Sequence, residues 1–139
     1  MRLVFARSRT PGSYLIRLFT WSRWSHVGVI DGGVVIDTTL KRGVATTPLA
    51  AFLAEHSATE QIEVALPDEV AAHVWLEMQL GKKYDWTAII GFVFRRPWGK
   101  KGRWFCSELV ESALIVGGRR RFREDLNRIT PRHSWMVSV

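Results

Sequence analysis

Two runs of β-branched residues separated by a glycine turn restrict the fold of this chain more than any other feature. The runs are residues 27–30 and 34–36, and the turn between them is Asp31-Gly32-Gly33. Glycine readily adopts the positive φ angles of tight hairpin turns, so the pattern predicts an antiparallel β-hairpin. His26 comes directly before the first run, and Asp37 comes directly after the second.

The rest of the chain carries shorter signals. Strands are predicted at residues 3–5, near 43–46, at 62–66 and at 136–139. Helices are predicted at 14–19 with Ser13 as the N-cap, at 49–54, after Asp68 and at 86–94, and a loop is predicted at 95–102. In the helix after Asp68, the residues expected to face the core are Val70, Val74, Trp75 and Met78. We see no repeat or linker and expect a single domain over residues 1–139.

The only cysteine, Cys106, opens an apolar stripe. The spacing of the stripe predicts a helix that ends at Gly117-Gly118, and its members are Cys106, Leu109, Val110, Ala113 and Leu114. A single cysteine cannot form an internal disulfide, and no Cys/His cluster has zinc-site spacing. We therefore expect stability to come from packing, and no metal or organic cofactor is implied.

The formal charge of +7 points to polyanionic partners such as nucleic acid, anionic lipid or an acidic cell-wall polymer. It concentrates in residues 95–103 and 119–123, which are either solvated loops or an anion site; no specific nucleic acid is predicted. The N-terminus lacks the apolar run of a signal peptide, and the longest apolar stretch, 88–94, is too short to cross a bilayer. The chain is expected to be cytoplasmic as synthesised, with phage association or release to the cell wall as alternatives.

Cys106, His26 and Asp37 form the candidate catalytic group. A cysteine at a helix N-terminus beside an imidazolium is favoured as a thiolate, which is the nucleophilic form. The histidine then needs a third group to orient its ring, and Asp37 lies on the facing strand of the predicted hairpin. The alternative is that Cys106 is a small core residue.

Three aromatic residues are candidates to line the site. Tyr84 could supply a hydroxyl or simply pack at a helix start, and Trp24 and Trp104 could wall a substrate groove or belong to the core. The remaining histidines lie outside any motif and are interpreted as surface or packing residues: His56, His73 and His133.

The segment Ser25-His26-Val27-Gly28-Val29, followed by Phe105-Cys106-Ser107-Glu108-Leu109-Val110, resembles the circularly permuted branch of the NlpC-type papain-like superfamily. That branch includes the YiiX-like enzymes and, more distantly, lecithin:retinol acyltransferase. Its histidine strand precedes its cysteine helix, as here. Lys83-Tyr84-Asp85-Trp86 and Ile129-Thr130-Pro131 resemble further YiiX-like segments.

The resemblance implies an α+β, papain-like fold in which an antiparallel sheet packs against a helix with the nucleophile at its N-terminus. It implies Cys106 as nucleophile, His26 as base and a polar third residue where Asp37 falls. Family members often have Glu or His there, so Asp37 is a departure. The expected activity is that of a cysteine peptidase or amidase acting on peptidoglycan peptides. Lipid acyl hydrolysis or transfer and a non-catalytic binding module are the alternatives.

Overall fold

The computed structural model describes residues 1–85, 103–123, 126 and 129–139; the predicted helix at 86–94 and most of the loop and basic run that follow lie outside these ranges. The strands are β1 Arg2–Arg7, β2 His26–Asp31, β3 Val34–Thr39, β4 Gly43–Pro48, β5 Ala58–Glu63, β6 Lys83–Tyr84 and β7 Arg103–Trp104. The helices are α1 Pro11–Thr20, α2 Leu49–Glu55, α3 Glu69–Glu77, α4 Cys106–Val116 and α5 Pro131–Met136. Together they form an α+β structure.

A five-stranded sheet in the order β4-β3-β2-β1-β5 is the framework of the protein. All of its neighbouring strands pair antiparallel, and β6 and β7 form a separate parallel pair. The predicted hairpin is confirmed as β2 and β3, with Ile30 opposite Val35 and Asp31 opposite Val34. The strands predicted at 3–5 and 43–46 are confirmed within β1 and β4.

Helices cover both faces of this sheet. Side chains alternate between its two sides, so each strand contributes residues to both contacts. One face packs against α4 through a cluster that includes Phe5, Val27, Val29, Ile36 and Leu109. The other face packs against α2 through Val4, Ala6, Ile30, Val35 and Phe52. The sheet is therefore buried on both sides, and the β-branched runs supply residues to each side.

Helix α4 has the predicted apolar stripe, and all five of its members are buried. The helix also buries Glu111, whose carboxylate pairs with the guanidinium of Arg121 and accepts a hydrogen bond from Ser134. Arg121, from the basic run at 119–123, is thus neither a solvated side chain nor part of an open anion site. Its ion pair ties the segment after α4, and helix α5, to the core.

The predicted core face of α3 is wrong for three of its four residues. Val70, Val74 and Met78 are exposed, whereas Trp75 packs against the core cluster as predicted. The residues that the helix buries are Ala72 and Leu76. The physical reason is the close approach of α3 to the end of α4, where a Cβ on Gly117 would lie 3.2 Å from the Ala72 Cβ. Only a small side chain fits this crossing, so apolar spacing alone selects the wrong face.

Three element ends also differ from expectation. Thr10, not Ser13, caps α1, because the Ser13 backbone N–H donates to the Thr10 hydroxyl. Residues 136–139 form no strand, since the Val137 N–H donates back to the His133 carbonyl and continues the turn of α5. Strand β5 lies earlier than the predicted 62–66 because it pairs along the whole of β1, from Ala58 opposite Arg7 onward. Among the described residues, no helix has the length and hydropathy to cross a bilayer.

Candidate active site

The sheet brings His26 and Asp37 together through a glycine. Val29 pairs with Ile36, so the same register sets Gly28 opposite Asp37 and places His26 one diagonal step away. A Cβ on Gly28 would lie 3.1 Å from the Asp37 Cβ and closer still to a Val35 methyl. Glycine at this position therefore leaves the space in which the carboxylate and imidazole meet.

The His26–Asp37 contact is short and shielded. His26 Nε2 lies 2.7 Å from Asp37 Oδ2, and the Asp37 side chain is 2% exposed. The other carboxylate oxygen has no hydrogen-bond partner in the part of the chain that is described, but Arg42 Nη2 lies 3.8 Å from it. Asp37 can therefore hold the imidazole in one orientation and stabilise its protonated form.

Cys106 is the first residue of α4, and its hydrogen bond and charge are among the causes that raise the pKa of His26. The cysteine is 1% exposed and belongs to the core cluster. Its position on the helix stripe thus serves packing, while its place in the first turn brings it to the imidazole.

These contacts fix the charge state of His26. Burial by itself lowers the pKa of its imidazole, but hydrogen bonds to Asp37 and Cys106 and their charges outweigh burial and raise the pKa to about 10. The ring is therefore an imidazolium at neutral pH.

A cleft of about 310 Å³ opens beside His26 and Asp37. Its walls come from the first turns of α1, the end of β3, the turn before β4, the end of α2 and Tyr84. Cys106 does not line the cleft, and its side chain is buried. A ligand in this cleft would meet His26 first.

Tyr84 is the predicted lining residue that the structure places at the cleft. Strand β6 pairs with β7 so that Tyr84 faces Trp104, two residues before Cys106. Burial, followed by the charges of Cys106 and Asp85, raises the pKa of the phenol well above its usual value. The hydroxyl therefore stays protonated and can donate a hydrogen bond.

The two tryptophans lie elsewhere. Trp24 is 1% exposed and belongs to the core cluster. Trp104 packs against the same cluster, with its ring edge-on to Trp75 at 5.3 Å between centroids. Both indoles thus take the core role that the sequence left open, and neither lines the cleft.

Sequence reasoning missed two residues of the site, His56 and Arg42. The His56 ring lies parallel to that of His26, with 6.1 Å between centroids, and its Nδ1 donates to the Phe52 carbonyl. Burial, together with the nearby charge of His26, lowers the pKa of His56. The cleft therefore holds one charged and one neutral histidine. No motif marks either residue. His56 reaches the site through the packing of α2 on the sheet, and Arg42 reaches it from the turn between β3 and β4.

Glu108 supports the start of α4. Its carboxylate accepts a hydrogen bond from the Phe105 N–H at 3.5 Å, as expected for a capping residue. Burial and the charge of Asp85 outweigh that bond and raise the pKa of Glu108 to about 7. The group thus changes charge near neutral pH, close to the candidate nucleophile.

The protein is thus an α+β protein with a five-stranded antiparallel sheet, in which a histidine and an aspartate line a cleft and a buried cysteine begins helix α4. Among solved structures, the metalloprotein YiiX from Escherichia coli O157:H7 is similar to this protein, with a TM-score of 0.66 and 23% sequence identity. The match covers 86% of this chain and 66% of the YiiX chain. The fold is therefore YiiX-like. No family model matches the sequence, and no curated protein does.

The description of YiiX as a metalloprotein raises the question of a metal site. Within residues 1–85, 103–123, 126 and 129–139, no three His, Cys, Asp or Glu side chains are grouped so that they could hold a metal ion.

Proposed function

We propose that this protein is a cysteine hydrolase of the circularly permuted papain-like type, which cleaves an amide or ester through an acyl-enzyme on Cys106. The observation that carries the proposal is the 2.7 Å contact of His26 with the buried carboxylate of Asp37, and it is supported by the effect of Cys106, at the N-terminus of α4, on the pKa of the same imidazole. Nucleophile, base and orienting group are the three parts that covalent hydrolysis needs.

In the proposed reaction the Cys106 thiolate attacks the substrate carbonyl carbon, and the carbonyl oxygen becomes an oxyanion. The Cys106 backbone N–H lies in the first turn of α4, where N–H groups have no intrahelical acceptor, so it can donate to that oxyanion. The His26 imidazolium then gives its proton to the leaving amine or alcohol, and the bond to the leaving group breaks. Asp37 holds the ring throughout.

Hydrolysis of the acyl-enzyme reverses these roles. The imidazole, now neutral, takes a proton from water, and the hydroxide attacks the thioester carbonyl. The carbon–sulfur bond breaks, the carboxylic acid leaves, and thiolate and imidazolium are restored. Tyr84 lines the cleft and keeps its proton, which supports a role as the second hydrogen-bond donor to the oxyanion.

Peptidoglycan stem peptides are the proposed substrates, because they combine amide bonds with carboxylates. Arg42 lines the cleft, has a side chain that is 45% exposed and lies 3.8 Å from Asp37, so it can meet a substrate carboxylate beside the catalytic pair. The net charge of +7 also favours an anionic polymer.

A lipid acyl ester is the second candidate substrate. Apolar side chains from three elements line the cleft: Ile16, Leu40 and Phe52. Such a surface suits an acyl chain better than a charged peptide. Release of fatty acid from a phospholipid, without cleavage of cell-wall peptides, would favour this candidate over the first.

The test is to capture the acyl-enzyme. The protein is mixed with a p-nitrophenyl acyl ester, quenched in acid and analysed by intact mass, and turnover is followed on muropeptides and on phospholipid. We expect one acyl group on Cys106, none in Cys106→Ser, and a rate about 10²- to 10⁴-fold lower in His26→Ala.

The matched control is His73→Ala. His73 is also a histidine beside carboxylates, but it lies on α3, 3.4 Å from Asp31. It should leave acylation unchanged. If no acyl group forms on Cys106, or if His73→Ala slows acylation as much as His26→Ala, the proposal fails. Ligand binding that persists in Cys106→Ala without turnover would instead identify a binding module.

A further inference from the structure

Helix α1 turns its apolar side away from the protein. The large side chains on this side are all more than half exposed: Tyr14, Leu15, Leu18, Phe19 and, at the C-cap, Trp21. The residue that α1 buries is Ser13, whose hydroxyl lies 2.7 Å from that of Ser25. This is the reverse of a helix that packs its apolar side on a core.

The charged residues on α1 and next to it in the sequence have one sign. Residues 1–30 contain five arginines and no aspartate or glutamate. Arg9 and Arg23 are exposed, and the guanidinium of Arg17 lies over the Tyr14 ring at 4.6 Å. An apolar strip bordered by arginines is the pattern of a helix that lies in the interface of an anionic membrane.

A second exposed apolar strip serves as a comparison. On α3, Val70 and Val74 are exposed to a similar degree, but the helix carries Glu69 and Glu77 and no arginine or lysine. Exposure of apolar residues is therefore common to both helices, and only α1 combines it with positive charge. The charge distinguishes a membrane surface from a surface that is merely apolar.

We propose that α1 docks this protein on the surface of an anionic lipid bilayer, with Leu18, Phe19 and Trp21 inserted among the acyl chains and the arginines at the lipid phosphates. The first turns of α1 also line the cleft, through Gly12 and Ser13. Docking therefore brings the cleft next to the bilayer. The proposal concerns where the protein binds and does not depend on hydrolysis.

The experiment is co-sedimentation with sucrose-loaded vesicles of phosphatidylcholine, with and without phosphatidylglycerol. The protein should pellet with the anionic vesicles and much less with phosphatidylcholine alone. Leu18→Glu/Phe19→Glu should lower the partition coefficient about tenfold or more, because it removes apolar insertion and adds two negative charges. Val70→Glu/Val74→Glu adds the same charge to α3 and should bind nearly as the parent does.

Two further measurements separate docking from other causes. Brominated lipids should quench parent fluorescence more than that of Trp21→Phe, and Cys106→Ser should bind vesicles as the parent does. The proposal is overturned if the α1 and α3 variants bind alike, or if anionic lipid makes no difference. It is also overturned if the parent is a dimer that Leu18→Glu/Phe19→Glu converts to a monomer, since α1 would then be a contact between two copies of the chain. Circular dichroism of each variant establishes that it is folded.

Discussion

Replacement of Asp37 by asparagine removes the negative charge beside His26 while preserving the size of the side chain. The pKa of His26 is about 10 in the folded protein, against 6.5 for the free side chain. At about 1.4 kcal/mol per pH unit, this difference corresponds to roughly 5 kcal/mol of stability. A nearby opposite charge raises a pKa by about 1 to 3 units, so the share of Asp37 is about 1.4 to 4 kcal/mol.

The contribution of Asp37 to stability depends on pH, and the direction of that dependence is defined. Because the pKa of His26 is higher in the folded than in the unfolded chain, protonated His26 stabilises the fold fully below pH 6.5, and this contribution is lost as the pH rises through about 10. The deficit of Asp37→Asn in the free energy of unfolding should therefore be largest near pH 6 and should shrink toward about pH 10.5.

Urea denaturation of the parent and Asp37→Asn at these two pH values measures the deficit, and NMR titration of the His26 ring measures its pKa directly. Asp31→Asn is the matched control, because Asp31 lies 3.4 Å from a different histidine, His73, and is 40% exposed. A deficit that is the same at both pH values, or a His26 ring that titrates near 6.5 in the parent, would refute the electrostatic role given to Asp37.

Three further changes test the architecture around the site. Gly28→Ala should destabilise the fold by about 1 to 3 kcal/mol in thermal unfolding, because its methyl group would press into strand β3. Gly12→Ala is the control and should be nearly neutral, because no atom lies within 4 Å of the added Cβ. Arg121→Met leaves the Glu111 carboxylate buried without its cation and should cost about 3 to 5 kcal/mol in urea denaturation; a cost below about 1 kcal/mol would contradict the buried pair. The raised pKa of Glu108 means that its ionisation destabilises the fold as the pH rises from 4.5 to about 7. The free energy of unfolding of Glu108→Gln should therefore gain up to about 3 kcal/mol relative to the parent across that range. A difference that does not change with pH would contradict the raised pKa.

The hairpin and the cysteine helix could be predicted because their signals are local. Turn glycines and β-branched runs define β2 and β3, and apolar spacing defines α4 with Cys106 at its start. The proximity of His26 and Asp37 also follows from the hairpin. Their direct contact does not, because it depends on a register that the turn alone leaves open and on the space beside Gly28.

Features set by packing between distant elements could not be read from the chain. Val70 and Val74 have helical spacing, yet the tight crossing at Gly117 turns a different side of α3 inward. His56 reaches the site only because α2 packs over the sheet end that carries His26. The sequence likewise predicts a helix at residues 14–19, but only the structure shows that its large apolar residues are exposed.

The central claim is that Cys106 and His26 form an activated pair, and the rate of Cys106 alkylation by iodoacetamide from about pH 4 to 10 tests it most directly. If the His26 imidazolium activates the sulfur, iodoacetamide should label the parent fast well below pH 8, and His26→Ala should lose that reactivity. Slow labelling that rises only near the pKa of a free thiol, about 8.5, and is unchanged in His26→Ala would contradict the account and leave Cys106 as a residue of the core.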